Sequence, residues 1–307
     1  MKNSKEINNA RDIVSVIIPS YNSAKFICEA LYSVINQTYE QIELIIADNH
    51  STDGTEEIIK SFMKNDHRIK YLKIHNNGVI AKSRNMAIQA SQGQFVAFLD
   101  SDDKWENNKL QKVMTCFRDN PHIDMICHDE WHIDQYGKIL KVGRCGPHKT
   151  YADLLFKGNG ISTSAVVVRM DKLLKVGLFC ERTDFVTAED YELWLRFSKE
   201  CNIEYLHQKL GYWRIHPNSL SSRTIAHMAN VLNVVTHHFD QISHKKKHYY
   251  FQMKKRKAGL EMAIGRMLLK EGDFESARPY LLHSFIYYPF SFKGLVLLGA
   301  CMLRQRI

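Results

Sequence analysis

An apolar run that ends in three carboxylates is the feature of this sequence that most restricts its fold. Residues 95–103 read Phe-Val-Ala-Phe-Leu-Asp-Ser-Asp-Asp. Carboxylates this close repel one another unless a cation or a donor-rich ligand lies among them. Asp48 likewise ends an apolar run, residues 42–47. Two strands that end in acids predict an open α/β sheet whose carboxyl edge binds one ligand, and they favour a metal–diphosphate site with a nucleotide as that ligand.

The spacing of apolar residues supports this sheet. Short apolar runs alternate with segments of helical period, which predicts a mainly parallel sheet covered on both faces. The predicted strands are residues 14–19, 42–47, 69–74 and 94–99, and the predicted helices are residues 23–35, 55–62 and 81–90.

The pattern weakens beyond Asp103 and changes again near residue 224. Between these points we predict helices at 107–118 and 188–199, strands at 123–127 and 164–169, and a hairpin around Tyr136-Gly137. Helix-forming residues dominate afterwards, so we expect two domains, residues 1–224 and an all-helical extension, residues 225–307. The segment around Gly272 is typical of one helix-turn-helix, and residues 295–303 are expected to pack on the core rather than lie in a membrane interface.

Composition excludes several classes of protein. With 307 residues, 45% of them hydrophobic, the chain is neither disordered nor fibrous. It has no apolar run long enough to span a bilayer and no N-terminal apolar segment, so we expect a cytoplasmic protein, with peripheral contact at the inner face of the plasma membrane as an option. Seven cysteines without a Cys-x-x-Cys pair favour reduced thiols over disulfides or a zinc site.

The net charge of +9 is concentrated towards the C-terminus, in residues 244–248 and 254–257 and in Arg304 and Arg306. Such runs occur on solvated helix faces and on surfaces that contact anionic lipids, acidic substrates or nucleic acids. The charge alone does not decide among these alternatives; peripheral contact of the basic tail with an anionic membrane is one option, and we expect no nucleic-acid partner.

An ordered set of short motifs spans roughly residues 13–222, namely residues 16–22, 31–38, 48–55, 77–78 with 81–85, 98–103, 188–196 and 212–221. This set resembles the family 2 inverting glycosyltransferases of GT-A fold. The resemblance implies transfer of one hexosyl or N-acetylhexosaminyl group from a nucleotide-sugar, with a UDP-sugar favoured, to a glycan or lipid-linked acceptor in polysaccharide or lipopolysaccharide synthesis. It also implies a divalent metal, Mn²⁺ or Mg²⁺. The Gln-x-x-Arg-Trp signature of processive synthases is missing from this sequence.

The resemblance also assigns roles to individual residues. An inverting enzyme needs a carboxylate opposite the leaving group, and the family pattern selects Asp190 as this general base, with Glu189 as the rival. Asp102 is the implied metal ligand and His216 a second metal or phosphate contact, unless His216 is an ordinary loop histidine. Asp48 is the implied ligand of a uracil or thymine base, although Asn49 and His50 follow it where the family often has an acid and a small residue.

Further residues are expected to line the nucleotide-sugar site. Lys82 and Arg84 would bring cations to the phosphates, unless they are surface charges. Trp194 would pack beneath the sugar or the acceptor, or else be a core tryptophan. The remaining candidates for donor binding are Pro19, Tyr21, Asn22, Ser51, Gly78, Asn85, Asp100 and Ser101.

Two other classes of function were weighed. A non-catalytic binding module could keep the fold, but it has no physical reason to retain acids such as Asp102 and Asp190 at its pocket. A nucleotidyltransferase would be expected to carry a Gly- and Arg-rich loop after its first strand, where residues 19–23 here read Pro-Ser-Tyr-Asn-Ser.

Overall fold

A sheet of nine strands forms the centre of the described part of the chain, residues 12–217, 219, 224–243 and 249–305 of a computed structural model. Its strands are β1 (Val14–Ser20), β2 (Ile42–Asp48), β3 (Ile69–Lys73), β4 (Phe95–Phe98), β5 (Lys104–Trp105), β6 (Met125–Ile133), β7 (Ile139–Gly143), β8 (Val166–Arg169) and β9 (Ile203–Arg214). Their order is β3-β2-β1-β4-β8-β6-β9-β5, and β7 pairs with β6.

Helices cover this sheet and form the C-terminal part of the chain. They are α1 (Ile27–Ile35), α2 (Thr55–Met63), α3 (Ile80–Gln89), α4 (Lys109–Asp119), α5 (Tyr151–Lys157), α6 (Met170–Val176), α7 (Glu189–Phe197), α8 (Thr224–Ser243), α9 (Tyr250–Glu271), α10 (Phe274–Tyr287) and α11 (Phe292–Met302). None of the helices within the described ranges is long and apolar enough to cross a membrane.

The first four strands of the sheet follow the predicted pattern. β3, β2, β1 and β4 are parallel neighbours, and every residue of β1 and β2 is buried. Successive residues of β1 belong to different cores, since Val16 belongs to the core that includes α1 and α4, whereas Ile17 belongs to the core that includes α3 and α7. The predicted α/β class, with helices on both faces of the sheet, is confirmed.

The second half of the sheet is mixed. β8 runs antiparallel to β4 and β6, while β9 is parallel to β6 and antiparallel to β5. The sequence pattern predicts no element for residues 203–214, because three consecutive polar residues, 207–209, interrupt the apolar alternation. A register shift at Asp129 accommodates this irregular stretch beside β6.

The C-terminal helices contribute to the core against the sheet and to a second, smaller core. Val235 and Phe239 of α8 belong to the core against the sheet. The helix-turn-helix expected near Gly272 is formed by α9 and α10, and Asp273 caps α10 by accepting a hydrogen bond from the Ser276 amide. Leu297 of α11 packs into the small core, but Leu295, Met302 and Leu303 are exposed, so the packing predicted for residues 295–303 holds for only part of the segment. Residues 218 and 220–221 of one predicted motif, and residues 244–248 and Arg306 of the basic runs, lie outside the described residues.

Candidate active site

A cleft with a volume of about 1470 Å³ lies at the carboxyl edge of the sheet. Such an edge is where open α/β sheets bind ligands, and this volume exceeds that of a typical small-molecule pocket. Eleven of the sequence-predicted residues line it, namely Pro19, Tyr21, Asn22, Gly78, Arg84, Asp100, Ser101, Asp102, Glu189, Asp190 and His216.

The carboxylates in the loop after β4 differ in how deeply they are buried. Asp103 is fully buried, where it accepts hydrogen bonds from the Ser164 hydroxyl (2.6 Å) and the Arg214 amide (2.7 Å). The Arg214 side chain donates to the Asp102 carbonyl oxygen (2.8 Å). Burial raises the pKa of Asp103 well above its usual range. Asp103 therefore anchors the loop, and Asp102 keeps its carboxylate for the cleft.

Asp102 and His216, which are 114 positions apart in the sequence, meet in this cleft. Nε2 of His216 lies 2.9 Å from Oδ2 of Asp102. The side chain of His216 is 10% exposed and that of Asp102 is 28% exposed. Together they present one nitrogen and one oxygen donor to the cleft, a pair that fits a divalent cation such as Mn²⁺. The structure thus brings together the two predicted metal-binding residues.

Arg84 is a buried bridge. It donates to Glu189 (2.5 Å) and to Asp100 (2.7 Å), and only 4% of its side chain is exposed. Burial alone would lower the pKa of Arg84, but the charges of Asp100 and Glu189 raise it above its usual value. Arg84 therefore joins the β4 loop to the start of α7 and is not a surface charge.

Asp190 stands in the first turn of α7, beside Glu189. Its Oδ2 accepts a hydrogen bond from the Thr163 hydroxyl (2.9 Å), and its Oδ1 accepts one from the Tyr191 amide (2.6 Å). Burial raises the pKa of Asp190 above the ordinary 3.8. A carboxylate with a raised pKa is a better proton acceptor near neutral pH. Glu189 forms an ion pair with Arg84, whereas the contacts of Asp190 among the described residues are hydrogen bonds from neutral groups.

Asp48 supports the first loops of the cleft from beneath. It is fully buried, and its carboxylate accepts hydrogen bonds from the Ser51 amide and hydroxyl and from the Tyr71 hydroxyl. The Ser51 hydroxyl in turn accepts a hydrogen bond from the Asn22 amide (2.8 Å). Asn22, with a φ of 47°, lines the cleft beside Tyr21, which is 60% exposed.

Five sequence-predicted residues do not line the cleft: Asp48, Ser51, Lys82, Asn85 and Trp194. Trp194 has no exposed surface and packs near Phe98 and Phe179, so it takes the core role. Asn85 hydrogen-bonds the backbone of Phe179 through both ends of its amide, which removes it from contact with phosphates.

A row of polar residues on β6 was not predicted from the sequence. His128, Glu130 and His132 all line the cleft. Their spacing of two residues within a strand is the signal that would have placed them on one face, but β6 was predicted to end at residue 127.

The sequence of this chain is similar to those of several known proteins. The family model described as glycosyl transferase family 2 matches residues 15–173. A putative teichuronic acid biosynthesis glycosyltransferase of Bacillus subtilis is 31% identical over 70% of this chain and 84% of its own length. A UDP-Glc:alpha-D-GlcNAc-diphosphoundecaprenol beta-1,3-glucosyltransferase of Escherichia coli is 34% identical over 68% of this chain and 80% of its own length.

Solved structures of similar shape include S. aureus TarS in complex with UDP-GlcNAc, with a TM-score of 0.61, 19% identity and coverage of 95% of this chain and 92% of that one. A mannosyltransferase from Pyrobaculum calidifontis in complex with GDP-Man and Mn²⁺ gives a TM-score of 0.60, 16% identity and coverage of 96% and 81%. At these identities the likeness concerns the fold.

Proposed function

Because the chain belongs to glycosyl transferase family 2, we propose that it transfers one sugar from a UDP-sugar to a lipid-linked glycan acceptor, with inversion and with a divalent metal. The predicted family and GT-A fold are confirmed, and the chain is a glycosyltransferase rather than a nucleotidyltransferase or a non-catalytic module. The donor, the stereochemistry, the metal and the acceptor are our proposals.

The observation that carries the proposal is that the Asp102–His216 pair and Asp190 share one cleft. Asp102 and His216 would hold the metal, which when bound disperses the negative charge that develops on the departing diphosphate. Asp190 would accept the proton of the acceptor hydroxyl as that oxygen attacks the anomeric carbon from the opposite face.

The donor's nucleotide would lie against the loops after β1 and β2. Pro19, Tyr21 and Asn22 line this part of the cleft and would contact the base. The role predicted for Asp48 remains a proposal, and its burial favours action through Ser51 and Asn22. Asp100, fixed by Arg84, would contact the ribose or the donor sugar.

For the acceptor we propose a lipid-linked glycan at an anionic membrane. The E. coli relative acts on a diphosphoundecaprenol-linked sugar, as its name states. In the present chain the rings of Phe251, Tyr288 and Phe290 follow one another at 5.8 and 6.0 Å, and Lys255 lies 5.9 Å from the Tyr288 ring. Phe290 and Phe292 are each 80% exposed. Exposed aromatic rings beside lysines are typical of surfaces that enter the headgroup region of anionic bilayers.

Vesicle sedimentation tests the membrane contact. The double variant Phe290→Ser/Phe292→Ser should lose most of its binding to vesicles that contain phosphatidylglycerol, and the wild type should bind phosphatidylcholine vesicles weakly. Tyr136→Ser is the matched control, because Tyr136 is 83% exposed on the β6–β7 hairpin. Equal binding of the wild type and the double variant would remove this part of the proposal.

Calorimetric titration with UDP tests the donor and the metal. We expect UDP to bind more tightly with Mn²⁺ than with chelator, and more tightly than CDP, GDP or dTDP. Asp102→Ala should lose the metal-dependent part of this affinity, and Asp190→Asn should retain it. Tighter binding of another nucleotide, or equal binding with chelator, would contradict the donor or the metal assignment.

A further inference from the structure

Two buried side chains of the cleft have no role in the reaction described so far. His128 and Glu130 lie on β6, are 1% and 3% exposed, and line the cleft. Each has a side-chain atom without a hydrogen-bond partner among the described residues, Nε2 of His128 and Oε1 of Glu130. Buried polar atoms without partners are uncommon in proteins, and each calls for an explanation.

His128 presents a hydrogen-bond acceptor. Its Nδ1 lies 2.8 Å from the Asp129 carbonyl oxygen, which can only accept, so Nδ1 carries the proton. Burial lowers the pKa of His128 well below its usual range, and the charge of Lys109 adds to this effect. The imidazole is therefore neutral, and its Nε2 is a bare acceptor.

Glu130 presents a second acceptor when it is ionised. Burial raises the pKa of Glu130 to about 7, while Ser162 and the charge of Lys109 favour its ionised form. Nζ of Lys109 donates to the Ser164 carbonyl oxygen (2.9 Å) and lies 3.4 Å from the centre of the Trp105 ring, and Oε1 of Glu130 has no hydrogen-bond partner among the described residues. Oε1 of Glu130 is thus left for a donor from the cleft.

A ligand that satisfies both atoms must donate hydrogen bonds and carry no net charge, since the negative charge of Asp100 acts on Glu130 and the positive charge of Lys109 acts on both side chains. Hydroxyl groups on a sugar ring meet this requirement, because each donates one hydrogen bond and accepts others. A phosphate would instead bring an acceptor to an acceptor.

We propose that Nε2 of His128 and Oε1 of Glu130 form a subsite for the hydroxyl groups of a sugar ring. This inference rests on the proposed function, and the ring belongs to the donor or to the acceptor, which have the same chemistry. In either case the subsite would select the sugar by the position of its hydroxyls, because a buried acceptor left unpaired disfavours an analogue that lacks the matching hydroxyl.

The test compares three variants with the wild type. Glu130→Gln keeps the size of the side chain and removes its charge, and His128→Phe keeps a ring and removes the acceptor. Glu261→Gln is the matched control, because Glu261 is also buried, has a pKa raised by burial to about 7 and an oxygen without a described partner, but lies on α9. Circular dichroism establishes that each variant is folded.

Two measurements distinguish whether the sugar ring on the subsite belongs to the donor or to the acceptor. For the donor, we measure dissociation constants in the presence of Mn²⁺ for UDP, UDP-glucose, UDP-galactose and UDP-GlcNAc. The quantity compared between variants is the dissociation constant of UDP divided by that of the UDP-sugar that binds most tightly. For the acceptor, we measure the KM for a GlcNAc-diphospho-lipid at saturating donor. We expect Glu130→Gln and His128→Phe each to change one of these quantities by about tenfold. This is the change expected when one hydrogen bond to a charged or buried group is lost. UDP affinity and the Glu261→Gln control should stay as in the wild type.

A changed donor ratio places the donor sugar on the subsite, and a changed acceptor KM places the acceptor sugar there. If UDP binds normally and both quantities are unchanged in both variants, the subsite is wrong while the proposed function stands. If the wild type binds no nucleotide, the proposed function itself fails, and this inference falls with it.

Discussion

Replacing Arg84 by methionine should destabilise the protein strongly, because it leaves a carboxylate buried without its partner. The side chains of Arg84 and Glu189 are 4% and 6% exposed and are joined by a hydrogen bond of 2.5 Å. Removing one partner of such a buried pair typically costs about 3–5 kcal/mol. Since total stabilities are about 5–15 kcal/mol, Arg84→Met should lower the free energy of unfolding by a large share of its value.

Urea unfolding followed by far-ultraviolet circular dichroism measures this loss. The double variant Arg84→Met/Glu189→Gln is the informative control, because it removes both charges and should recover much of the stability lost by Arg84→Met alone. If Arg84→Met loses less than about 1 kcal/mol, or if the double variant is as unstable as the single one, Arg84 does not stabilise the fold through Glu189.

The loss should also depend on pH with a definite sign. Burial raises the pKa of Glu189 above the ordinary 4.5, and the charge of Arg84 opposes this rise. Without Arg84 the pKa of Glu189 rises further in the folded state. A group with a raised folded pKa stabilises the protein fully below its unfolded pKa and loses this contribution as pH rises through the folded pKa. The deficit of Arg84→Met should therefore be smaller near pH 4.5 than near pH 8, and a constant deficit would contradict the reasoning.

Three further results are expected. Asp190→Asn should lower the rate of sugar transfer by about a hundredfold or more while UDP affinity is kept, and wild-type turnover would reject Asp190 as the base. His216→Ala should weaken Mn²⁺-dependent UDP binding in calorimetry, as Asp102→Ala does, because the two side chains lie 2.9 Å apart; full binding would leave Asp102 alone as the ligand. The value of kcat/KM should fall as pH drops through the raised pKa of Asp190. Thr163→Val should shift this fall to higher pH, because the Thr163 hydrogen bond lowers the pKa of Asp190. If the fall does not shift, it reflects the titration of another group.

Much of the fold was predictable because its signals are local. The apolar runs of β1, β2, β3 and β4 and the helical periods of α1–α3 depend on residues close in sequence, and the structure places them within one or two residues of prediction at most ends. β9 was not predicted, because the polar residues 207–209 interrupt its alternation of apolar and polar residues. Its place beside β6 comes from pairing between residues about eighty positions apart. No local pattern encodes such a pairing.

The site divides in the same way. The sequence by itself determined which candidate groups the short motifs offer, and it predicts roles for Asp102, Asp190 and His216 through the family resemblance. Only the tertiary structure decided that Asp102 meets His216, that Arg84 joins Glu189 to Asp100, and that Trp194 belongs to the core. The reason is physical: a motif fixes which groups a chain offers, whereas burial, charge pairing and pKa depend on the neighbours that distant segments bring to each group.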